Sequence, residues 1–281
     1  MSAAQAAQAA QTVEFGQASG GPAALKVTQL RVIGSEWTKL VSLRSTLWTL
    51  LVAVVSTVAL GGLIATAAVT SWDQFEPAAR AAFDPTETAL AGTDLAQIAI
   101  GVLGVLMMTG EYSTGMIRAT FSAVPTRLPV LWAKTIVFSG VSFVLMLVSC
   151  LAAFLLGQAV LASEGIGTSL GEPGVLAAVV GTAFYLTSIG VLGVALGALV
   201  RNTAGAIAAL FGILLGLVPL VGLLPSELEW IGDYLPLVVG ATLKSVVSDD
   251  GLPTAGGVAV LCAYMAVALA AAAVLLKRRD V

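Results

Sequence analysis

Apolar runs at residues 47–69, 95–109, 131–156, 174–200, 203–224 and 255–276 constrain this chain more than any other feature. About 20 apolar residues in a helix, at ~1.5 Å each, cover the ~30 Å of bilayer hydrocarbon. Only 10% of the residues are charged and 58% are hydrophobic, with a mean hydropathy of +0.99. A soluble domain carries about 25% charge, so so few charges could not clothe a water-facing surface. The runs therefore predict an all-α integral membrane protein with six transmembrane helices, in intimate contact with the lipid bilayer. The second run is short, and it reaches spanning length only if its helix continues into Glu111 and its neighbours.

Charge is sorted along the chain. When the polar segments are numbered alternately, one set holds 11 of the 13 basic residues, leaving only Arg80 and Lys244 in the other. That other set holds 12 of the 16 acids, carried by residues 71–94, 163–173 and 225–253. An odd number of spans would scatter this pattern. The positive-inside rule then predicts that both termini lie in the cytoplasm. Trp37, Trp48, Trp72, Trp132 and Trp230 fall at or near span ends, where an aromatic belt belongs.

Residues 1–25, rich in Ala, Gln and Gly, predict a disordered N-terminal tail. They have no basic residue before Lys26 and no apolar core, unlike a secretory signal peptide. Residues 26–45 predict an amphipathic interfacial helix ahead of the first span. Leu30, Ile33, Trp37, Leu40 and Val41 fall on one face, and Arg31, Ser35, Lys39 and Ser42 on the other. The six-span domain then occupies residues 46–281. Within 225–253, the stretch from Tyr234 to Val247 is largely apolar, interrupted by Pro236 and Gly240, and predicts a segment turned back toward the spans.

The sequence offers little for catalysis. It has no histidine, the commonest general base and metal ligand. It contains no GxxxxGK[ST] phosphate loop and no HExxH. Cys150 and Cys262 lie in apolar runs and read as small hydrophobes. The fully apolar interiors of the runs hold no Asp, Glu, Lys or Arg, Lys134 lying at the start of its run, which disfavours an ion-coupled carrier or a membrane-embedded enzyme. No cofactor or metal site and no nucleic-acid contact is expected. Ser, Thr, Tyr and Gln within the runs read chiefly as helix–helix or backbone hydrogen-bonding groups. The GxxxG pairs Gly193/Gly197 and Gly212/Gly216 read first as intramolecular packing sites.

The informative polar stretch is Gly110–Lys134, GEYSTGMIRATFSAVPTRLPVLWAK. Gly115 can break a helix, Met116 to Val124 can form a short one, and Pro125 and Pro129 reset the chain before the next span. The expected product is a compact element projecting from the second and third spans.

With four features in order, the chain resembles a membrane (permease) subunit of the type-two ABC exporter class. They are SEWTKLVSLRSTLW at Ser35–Trp48, GEYSTGMIRATFSAVPTR at Gly110–Arg127, LGALVRNTAGAIA at Leu196–Ala208, and a last apolar run closed by KRRD at Lys277–Asp280. The second is the most specific. The resemblance implies that the first is a surface elbow helix and that the second carries a coupling helix. Carried over by position, the ATPase-coupling residues are Glu111, Tyr112, Ser113, Thr114, Gly115, Met116, Ile117 and Arg118, supported by Ala119 to Arg127. It further implies a separate P-loop ATPase subunit binding ATP and Mg, a second copy or paralogue of this chain, an outer cap from 225–253, and residence in a bacterial cytoplasmic membrane. A membrane anchor or assembly protein without transport is the alternative; a stable nucleotide-binding partner separates the two.

Overall fold

A computed structural model describes residues 28–247 and 252–278. The tail expected over 1–25, Lys26, Asp249, Asp250, Arg279 and Asp280 lie outside the described residues. Among the described residues there is no strand, and six helices are long and apolar enough to cross a membrane. This is an all-α, multi-pass membrane protein.

Helix α1 is Gln29–Ser42, and after a break at Leu43 the first span is α2, Arg44–Thr70. Two short helices follow, α3 (Pro77–Ala81) and α4 (Pro85–Leu90). The second span is α5, Thr93–Ser113. At 21 residues it spans a bilayer, because the helix does run on through Glu111. A short helix α6 (Met116–Ala123) leads to the third span, α7, Leu128–Leu161. The fourth span is α8, Val175–Val200. The fifth joins α9 (Thr203–Phe211), a π-helical turn over Gly212–Gly216, and α10 (Leu217–Val221). A 3₁₀ segment Ser226–Tyr234 and helix α11 (Pro236–Lys244) precede the last span, α12, Thr254–Arg278.

The bundle is built around α8, the most enclosed of the six spans. It packs on α5, α7, α9, α11 and α12. Close approach explains the glycines here. A Cβ on Gly104 of α5 would run into the Gly190 carbonyl of α8, and one on Gly193 would strike the Gly101 carbonyl. The Gly193/Gly197 pair therefore packs inside the chain, while Gly212 and Gly216 face open space. Spans five and six are the least enclosed and present their apolar faces outward.

The expected hydroxyl bonding is present. Thr135, Ser149, Thr182, Thr187 and Ser188 each donate to the carbonyl four residues back. In α1 the amphipathic reading is only partly met. Leu30, Trp37 and Val41 are exposed, whereas Val32, Glu36 and Leu40, one turn apart, are buried against the bundle. A carboxylate thus occupies the middle of the packing stripe.

The acidic end is closed by polar clamps. The 71–94 connection turns inward, burying Ala89 and Leu90 of α4 between α2 and α7. Asp84 caps α4 through the Thr86 and Glu87 amides, and its second oxygen accepts from Ser245 Oγ at 3.0 Å and from the Val246 and Val247 amides at 2.6 and 3.1 Å. Lys244 Nζ donates to Asp94 at 2.6 Å. Helix α11 turns back into the bundle, with Val239, Gly240 and Leu243 buried.

Candidate functional site

At the basic end, four charged side chains from three helices meet. Glu36 and Lys39 lie one turn apart on α1, Glu111 sits in the last turn of α5, and Lys134 in the second turn of α7. Lys134 Nζ lies 2.6 Å from Glu36 Oε2 and 2.6 Å from Glu111 Oε1. Lys39 Nζ lies 2.6 Å from Glu36 Oε1 and 2.8 Å from Glu111 Oε1. Thr120 of α6 donates to Glu111 Oε2 at 3.1 Å. Every carboxylate oxygen is bonded, and the four charges cancel. Lys134 is fully buried, at 1% exposure. Burial alone would push the Lys39 ammonium down, but its hydrogen bonds to Glu111 and Glu36 prevail and hold it above 10.5, so the group stays charged at neutral pH.

Local sequence explains the placement. Helix α5 ends at Thr114, whose amide and hydroxyl both donate to the Gly110 carbonyl. Gly115 follows at φ 73°, the left-handed conformation that stops a helix and that glycine adopts without strain. The chain reverses into α6, whose Ile117 and Phe121, four residues apart, turn inward. Two further contacts fasten the element. The Arg201 guanidinium, in the α8–α9 connection, lies 5.4 Å from the Tyr112 ring centre. Arg127 lies 5.7 Å from the Phe121 ring centre and donates to the Leu276 carbonyl near the end of α12.

The eight residues singled out from the sequence divide into two groups. Glu111 and Ile117 are buried and Tyr112 is half-buried, whereas Ser113, Thr114, Gly115, Met116 and Arg118 are exposed. The sequence did not single out Glu36, Lys39 or Lys134 as Glu111's partners. One signal was available: Glu36 is the lone acid among the basic residues of 26–45 and lies four residues from both Val32 and Leu40.

No group of residues suited to holding a metal ion occurs among the described residues. A cleft of 830 Å³ with a mixed polar and apolar lining opens at the acidic end, beside Asp84, Gln158 and Glu172. A second, mainly apolar one of 520 Å³ lies beside the charged quartet. No family model and no curated protein matches this chain.

Proposed function

We propose that the chain is the membrane-spanning subunit of an ATP-driven ABC transporter, working as an exporter, with its basic end in the cytoplasm of a bacterial cell. In this reading a separate P-loop ATPase binds ATP and Mg, and two copies of the chain, or one with a paralogue, enclose the substrate path. The exposed strip Ser113–Met116 with Arg118 meets the ATPase. The observation that carries the reading is the buried quartet. It ties the element bearing this strip to α1 and to the first turns of α7, so force applied at the strip moves several helix ends as one body. Closure of the ATPases would tilt α5 and α7 and switch the cavity between copies from inward- to outward-facing. Substrate and ATP must favour different states for this to do work.

Glu111 serves this reading as a structural tie, whereas Arg118 offers its charge to a partner. Arg118→Glu reverses an exposed charge while leaving the quartet whole. Transport and ATPase association should fall together in this variant, with the protein still inserted and monodisperse. Unchanged transport would sink the assignment.

A further inference from the structure

We propose that the apolar cleft beside the quartet is a seat for one anionic phospholipid from the leaflet at the basic end. The proposal rests on the membrane-spanning fold and is independent of the transporter reading. Helices α2 and α5 press together where Gly92 lies against the Ser56 and Thr57 carbonyls. Nearer the basic end they part, and the 520 Å³ cleft opens between them and α1. Leu103, Leu106 and Met107 form an apolar wall on α5, while Leu43, Ser45 and Thr46 line the start of α2. Leu43 and Leu106 are themselves exposed, so the cleft communicates with the surrounding hydrocarbon. This wall suits an acyl chain.

The quartet is neutral, but this end of the cleft offers spare donors to an anion. Lys39 and Lys134 each have three donors, and each has two engaged by carboxylates. The carboxylate oxygens have their partners, so the unused capacity is on the ammonium side. Helix α2 begins at Leu43 with no side-chain cap, so the positive end of a 27-residue helix opens at the same mouth. Arg44, exposed, stands between the lining residues Leu43 and Ser45. A lipid phosphate at this mouth would meet Lys39, Arg44 and the first-turn amides of α2, while its chain follows α5.

The test uses the full-length protein in vesicles of equal parts phosphatidylglycerol and phosphatidylcholine. It is re-extracted in mild detergent and weighed intact by native mass spectrometry. The expected result is one phosphatidylglycerol retained per chain, favoured over phosphatidylcholine by about fivefold, the ratio that one lysine charge near a membrane surface supports. Leu106→Trp, which narrows the cleft, should sharply lower retention, and Arg44→Gln should bring the two lipids toward parity. Thr49→Leu narrows the same cleft and replaces Leu106→Trp if that variant does not elute as a single folded species. Equal retention of the two lipids by the natural protein overturns the proposal, whatever the variants do. So does unchanged retention in the narrowed cleft, which would mark lipid held elsewhere. Displacement of the lipid by inorganic phosphate alone would mark a free-anion site and overturns it as well.

Discussion

Lys134 has two carboxylates as its hydrogen-bond partners, and this dictates what substitution there does. Removing one member of a buried charge pair leaves the other uncompensated, at a cost of about 3–5 kcal/mol. Lys134→Met should therefore lower stability by that amount, read as a fall in the unfolding midpoint in detergent. Adding Glu111→Gln to that variant removes one uncompensated charge and should recover part of the loss. If the double variant is as unstable as the two losses added, the charges are not coupled. Asp84 belongs to the same scale at the opposite end. Burial would raise its carboxyl, but the amides of Val246, Glu87 and Val247 and the Ser245 hydroxyl hold it below 3.8. A folded value below the unfolded one gives a contribution complete at neutral pH. It declines as pH falls past 3.8 and is lost below the folded value. Hydrogen exchange of the Val246 and Val247 amides should accelerate in acid, and Asp84→Asn should show faster exchange already at neutral pH. Exchange unchanged in Asp84→Asn would show that Asp84 does not hold the clamp.

The helices differ in how much of each could be read from residue order alone. The six spans are legible because hydrocarbon forbids unpaired backbone, leaving each apolar run only a helix to form. The short second run shows the limit. Its helix passes through Glu111 because a charge may sit in the last turn when Lys39 and Lys134 neutralise it. That neutralisation depends on Lys39, 72 positions away in sequence, as well as on Lys134. The same distance hid the quartet: Glu36 and Lys134 lie 98 positions apart. It also hid the 520 Å³ cleft, which exists because α2 and α5 diverge. The two GxxxG pairs look alike in sequence and differ in the structure. Gly193→Ala sets a methyl against the Gly101 carbonyl and should cost about 1–3 kcal/mol through overpacking. Gly212→Ala meets open space and should leave the unfolding midpoint nearly unchanged. Equal effects would refute the assigned packing of α5 on α8.

For the whole molecule, the clamped acidic end, the enclosed α8 and the ionic tie at the basic end divide the labour. Packing around α8 joins the spans, while the polar contacts at the two ends tie neighbouring helix ends to one another. Spans five and six leave broad apolar faces outward, which lipid or a second copy would cover. On the transporter reading, the exposed strip Ser113–Met116 with Arg118 is where an ATPase makes contact. The most direct measurement is purification of the tagged protein from its native membrane in mild detergent, identifying what accompanies it and assaying ATP hydrolysis. A roughly stoichiometric P-loop ATPase that is lost on Arg118→Glu, with the spans still inserted, is the predicted result. A clean preparation with no ATPase, reproduced after cross-linking, would contradict the transporter reading and favour a membrane anchor or assembly protein.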